Sequence, residues 1–193
     1  MRVVIGTVVV LAILCLQQND AITEPRASPP RTVLLVERSP GMGSVGKGLA
    51  KILKSSATGG VVVIVFDSQA QLVRAEGTKQ PKWELVAESS TSARSIDVSV
   101  GLSEASARLR KLGKSQGQVV LFCVECQAPE GKLAPVLASF ARREIPISVV
   151  GFPGSHRNVI ATITDATGGS LYLVEDAKDL SWLPITWRGN EVH

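Results

Sequence analysis

Histidine, cysteine and aromatic residues are all scarce in this sequence, and each shortage removes a class of function. Only two histidines, His156 and His193, occur in 193 residues, so there is no base around which a Ser/His/Asp or Cys/His catalytic arrangement could be built. Of three cysteines, Cys15 lies in an apolar leader, and the remaining pair is too few for a disulfide framework. Aromatics make up 4% of the chain, so its basic segments carry no interleaved rings on which bases could stack, and no nucleic-acid partner is expected. The near-continuous apolar run Val3–Leu16 is short of the roughly 20 residues that a bilayer-spanning helix needs.

The apolar content is 45% and rich in valine and alanine, and the charged fraction is 20%; both suit a buried sheet covered by helices. The length allows one domain with a full core. The net charge of +4 comes from scattered residues. Lys47, Lys51 and Lys54, and then Arg108, Arg110, Lys111 and Lys114, recur at helical spacing and read as solvated helix faces.

Four segments are expected. Residues 1–21 have Arg2, the apolar run and a polar stretch ending at Ala21, the pattern of a secretory signal peptide or a short anchor. Residues 22–31 form a linker in which Pro25, Pro29 and Pro30 keep the chain extended. Residues 32–183 form the domain, and residues 184–193 a tail. This organisation predicts a secreted or periplasmic protein, or one anchored with its domain outside the cytoplasm, touching membrane only through an uncleaved leader.

Within the domain, β-branched apolar runs predict buried strands at 32–37, 61–66, 118–124, 145–152 and 171–174, with a returning edge strand at 70–74. Helical periodicity marks 43–55, 98–112, 132–143 and 160–167, the last stopped by Gly168-Gly169. A short helix at 178–183 has Asp176 as its N-cap. Residues 76–95 read as a long irregular loop. Strands separated by helices imply crossovers, hence an α/β, three-layer, doubly wound sandwich: a mostly parallel six-stranded sheet with one antiparallel edge strand. Ligands of such sheets sit at the carboxyl ends of the strands.

Two motifs compete for function. Gly41-Met42-Gly43-Ser44-Val45-Gly46 fits GxGxxG between a strand and a helix, with Asp67 ending the next strand where a ribose-binding acid belongs, so a nucleotide-binding enzyme is one reading. Arg38, Ser39 and Pro40 displace the tight turn that this reading needs. Cys123-Val124-Glu125-Cys126 is a CxxC at a strand end rather than a helix start. Residues three apart in extended chain lie about 10 Å apart, beyond disulfide reach unless the chain turns at Val124. Cys123 as a core residue with Cys126 free or partly exposed, a structural disulfide, and redox or metal use all stay open; zinc would need two further Cys or His ligands.

VLLVERSPGM (33–42), VVVIVFDSQAQLV (61–73), IDVSVGL (96–102), VVLFCVEC (119–126) and the 145–174 segment containing ATGG together resemble, in order and spacing, the von Willebrand factor A family. The resemblance covers residues 32–183 and implies a non-enzymatic protein-interaction or adhesion module. In that family a metal-ion-dependent adhesion site holds magnesium among hard oxygen ligands. Here Glu37 stands for the first aspartate, Ser39 is kept, Gly41 replaces the second serine, Ile96 the threonine and Glu125 the last aspartate. The resemblance therefore implies a degenerate and inactive site at Glu37, Ser39 and Glu125, with no cofactor expected and magnesium as the alternative. Glu37 and Glu125 are expected near each other, neutralised by Arg38 or another base. An unidentified protein partner is expected to meet Arg38, Ser39, Met42, Asp67, Asp97 and Glu125. A membrane-tethered assembly factor is a further alternative.

Overall fold

The valine-rich runs pair into one sheet. The computed structural model describes residues 31–56, 61–75, 79–88, 96–111 and 117–182. Strands β1 (Arg31–Glu37), β2 (Val61–Phe66), β4 (Gly117–Cys123), β5 (Ile147–Gly151) and β6 (Leu171–Leu173) run parallel, while β3 (Ala70–Arg74) turns back antiparallel on β2. The spatial order is β3-β2-β1-β4-β5-β6. The expected architecture is therefore the observed one: a doubly wound α/β sandwich with one antiparallel edge strand.

Side chains alternate across a strand, and here both faces are covered. Val33, Leu35, Val62, Ile64, Val119 and Leu121 face one core, closed by α3 (Val98–Lys111), α4 (Leu133–Ala141) and α5 (Arg157–Thr167). Leu34, Val36, Val63, Val65, Val120 and Phe122 face the other, closed by α1 (Gly43–Ser56), the single turn α2 (Glu84–Ala87) and the 3-10 segment Ala177–Trp182. Burial on two sides explains why the strands are apolar throughout rather than alternating. Lys47, Lys51 and Lys54 are exposed on α1, as a solvated face requires.

Some boundaries depart from expectation for identifiable reasons. Residues 76–95 were expected to be irregular throughout, yet Glu84–Ala87 makes a helical turn that tucks Val86 into the α1 core. β4 stops at Cys123, not Val124, because the next two backbone N–H groups are taken by a side chain instead of a ladder partner. α5 begins at Arg157, three residues before Ile160. The last segment is 3-10, and Asp176 accepts from the Lys178 N–H as the expected cap. The leader 1–21, nearly all of the linker and the tail 184–193 lie outside the described residues. Among the described residues no helix is long and apolar enough to cross a membrane.

Gly43 and Gly46 of the GxGxxG motif lie within α1, and so does Gly48. A Cβ on Gly46 would stand 2.7 Å from the Val86 carbonyl oxygen, and one on Gly48 would stand 2.8 Å from the Ala177 Cβ. Both let neighbouring elements approach α1 closely. Gly46→Ala should therefore lower stability by about 1–3 kcal/mol, read from urea denaturation midpoints.

Candidate functional site: reciprocal carboxylate latches at the strand ends

Alternation along β1 carries Glu37 onto the same face as Leu35, and alternation along β4 carries Cys123 onto that face beside it. Glu37 is 1% exposed. A buried carboxylate persists only with hydrogen-bond donors around it, and four surround this one. The Val124 N–H donates to Oε2 at 3.2 Å and the Glu125 N–H to Oε1 at 2.8 Å. The Ser39 hydroxyl and the Cys126 thiol also donate to it. Burial nonetheless wins and pushes the Glu37 carboxyl above its usual range, with these hydrogen bonds opposing.

Glu125 makes the converse contact, its Oε1 accepting from the Gly41 N–H at 3.1 Å. The acid of the first loop thus holds the third loop, and the acid of the third loop holds the first. A Cβ on Gly41 would stand 2.7 Å from Val124 Cγ1 and 2.9 Å from Glu125 Oε1. Gly41→Ser, which restores the hydroxyl of the adhesion-site pattern, should cost about 1–3 kcal/mol and leave the thermal midpoint unresponsive to magnesium.

The raised Glu37 value fixes a sign. A group whose folded pKa lies above its unfolded value of 4.5 binds protons more tightly when folded. Its contribution is full below 4.5 and is lost as pH rises through the raised folded value. In chelator, stability relative to Glu37→Gln should therefore fall as pH climbs from 4.5 through that value, and denaturant melts across the pH series measure it.

The neighbouring loops are chained to this pair. Arg38 Nη2 donates to Asp67 Oδ2 at 3.1 Å, and its backbone N–H donates to the Phe66 carbonyl. The Arg38 Nε is buried without a partner. Asp67 also accepts from the Gln69 N–H, and its carbonyl from the Asp97 N–H. Asp97 caps α3 by accepting from the N–H and hydroxyl of Ser99, and pairs with Lys132 at 3.4 Å. Ser68, Gln69, Ala70, Asp97, Ser99 and Lys132 border a cleft at the Asp67 turn and the start of α3.

Glu37, Ser39, Glu125 and Gly41 do come together. Arg38 does not neutralise the two glutamates, because its guanidinium is turned to Asp67. Ser39, Met42 and Asp97 were expected on a binding surface, but they are 0%, 2% and 6% exposed. Ser39 accepts from the Met42 N–H and Met42 fills the core, so Arg38, Asp67 and Glu125 are what remain half-exposed. Ser99 and Lys132 went unnoticed in the sequence; only the Asp-x-Ser at a helix start signalled the first. Both cysteines are free and buried. Cys126 is 0% exposed rather than partly exposed, because the chain bends at Val124 and Glu125 and folds back toward Glu37.

Magnesium requires hard oxygen ligands in near-ideal octahedral geometry, and these residues do not fit it. Gly41 has no side-chain oxygen and Ile96 is a buried aliphatic, so two of the hydroxyl ligands of the pattern are missing.

No family model matches the sequence, and no curated protein matches it. Solved structures do. The chain is similar to a von Willebrand factor type A protein from Catenulispora acidiphila, at 16% identity and a TM-score of 0.67, over 86% of this chain and 44% of that one. It is similar to the ArnB paralog VWA2 from Sulfolobus acidocaldarius at 14% identity and a TM-score of 0.53, over 83% and 44%. It also resembles proximal thread matrix protein 1 of the mussel byssus, solved with a zinc-occupied adhesion motif, at 12% identity and a TM-score of 0.62, over 82% and 44%. The protein has the von Willebrand factor A fold. It spans less than half the length of each of these three structures.

Proposed function

We propose that this protein is a non-enzymatic recognition module outside the cytoplasm, which binds a protein partner with the loops at the carboxyl ends of its strands and without magnesium. One observation carries this reading: the carboxylates at those ends serve as latches on backbone N–H groups, so the first and third loops are tied together by the chain's own groups rather than by magnesium. The Arg38–Asp67 pair and the Asp97, Ser99 and Lys132 side chains of the cleft offer charge and hydrogen bonding to a partner. The export pattern of residues 1–21 supports the location. Burial raises the Cys126 thiol rather than activating it, and the chain has only two histidines, which favours binding over catalysis. The α1 glycines are engaged in packing, which weighs against a phosphate cradle at GMGSVG.

The experiment is affinity capture of the partner with the full chain, run in parallel with magnesium and with EDTA. Equal recovery in both is expected. Gln69→Arg and Lys132→Glu, exposed at the strand ends, should reduce recovery at least tenfold, while Lys54→Glu, late in α1, should not. Recovery only with magnesium would contradict the reading, as would a clear thermal shift with NAD or ATP.

A further inference from the structure

We propose that Glu37, Cys123 and Cys126 form a buried site for a thiolate-preferring divalent ion of the zinc class. One ligand atom from each, two sulfurs and a carboxylate oxygen, lie within 4.8 Å of one another. All three residues are buried, at 1%, 0% and 0% exposure. Zinc holds sulfur at about 2.3 Å and carboxylate oxygen at about 2.1 Å, so its tetrahedral ligands stand about 3.5–3.8 Å apart. Closing the triad onto an ion therefore takes side-chain shifts of about 1 Å rather than a new backbone path.

Charge points the same way. Three acidic groups meet here, and among the described residues no Lys or Arg forms an ion pair with any of them; Arg38 and Lys132 are paired with Asp67 and Asp97. A divalent cation is the counter-charge that lets them ionise together. Its identity follows from donor softness, since two thiolates select zinc-class ions over magnesium. The Val124 and Glu125 N–H groups and the Ser39 hydroxyl orient the Glu37 carboxylate, as outer-shell donors orient metal ligands.

On binding, the hydrated ion sheds water and each thiol releases its proton to solvent. Two metal–sulfur bonds and one metal–oxygen bond form, water takes the fourth position, and no oxidation state changes. The three ligands are buried beneath the loops, so a partner docking on the loops does not touch the ion, and the site is independent of the recognition reading.

The full chain, reduced and stripped with chelator, is titrated with Co2+ as a spectroscopic probe and then with Zn2+. One cobalt per chain is expected, with thiolate-to-cobalt charge transfer, tetrahedral visible bands and displacement by zinc. Zinc should release at least two protons per ion in weak buffer. Cys123→Ser and Cys126→Ser should each weaken zinc binding at least about 100-fold, and Glu37→Gln about tenfold or more. Cys15→Ser should change nothing. Absent charge transfer, bands that persist in Cys123→Ser or Cys126→Ser, or a Cys123–Cys126 disulfide forming in place of the complex would overturn the assignment. Should the variants not fold, proton release from the unmodified chain decides alone, and its absence refutes the site.

Discussion

Gly169→Ala should unfold the protein or cost it about 4 kcal/mol or more, a loss of the size reserved for backbone collisions and core defects. The second glycine of ATGG lies where the chain leaves α5 for β6. A Cβ there would fall inside the contact distance of the Ile147 carbonyl carbon and oxygen and press on the Ser148 N–H. These are backbone atoms of β5, so no rotamer change relieves the overlap, and β6 would have to leave its ladder. Gly168 provides the contrast. It holds a left-handed φ of 70° as the C-cap of α5, and a Cβ on it would meet nothing. Gly168→Ala should cost only about 1–2 kcal/mol, the penalty of that backbone conformation. Equilibrium urea denaturation of the two variants checks the ordering.

Glu37→Ala is the second large effect, with an expected loss of about 3–4 kcal/mol. It strips acceptors from the Val124 and Glu125 N–H groups, at about 1–3 kcal/mol per buried group left unpaired, and it opens a cavity. Removing a desolvated carboxyl gives some of this back, but two orphaned donors outweigh that gain. Glu37→Leu separates the contributions: it fills the volume, leaves the donors unpaired, and should still lose about 2–3 kcal/mol. Hydrogen exchange at Val124 and Glu125 should accelerate in both variants. If these variants matched the unmodified chain in stability, the latch would have no energetic content.

The sheet was legible because a parallel strand buried on two faces writes itself as an uninterrupted apolar run. VLLV, VVVIVF and VVLF leave few alternatives, and the hairpin at Asp67-Ser68-Gln69 placed the antiparallel edge. That Glu37, Ser39, Gly41 and Glu125 fall at neighbouring strand ends was legible too, through the order of the pieces along the chain. Their wiring was not. Arg38 is as close in sequence to Glu37 as to any acid, yet its side chain points to the opposite neighbour, toward Asp67. Sequence also suggested that Ser39, Met42 and Asp97 face a partner, because loops are usually exposed. Instead the first loop closes into a 3-10 turn, and that turn buries Met42. The bend after Cys123 was invisible because it is made by a side chain 87 positions away in the sequence, and no local pattern records such a contact. The same bend brings Cys126 back beside Glu37.

A magnesium titration of the ¹⁵N-labelled protein, following the amides of Gly41, Val124 and Glu125, tests most directly whether carboxylate latches stand where a metal cage would be. All three resonances should stay in place up to millimolar magnesium, and Gly41 should move when Glu125 is changed to glutamine. Saturable magnesium-dependent shifts at these amides would mean that the carboxylates let go of the backbone to hold the ion, and the latch account would be wrong.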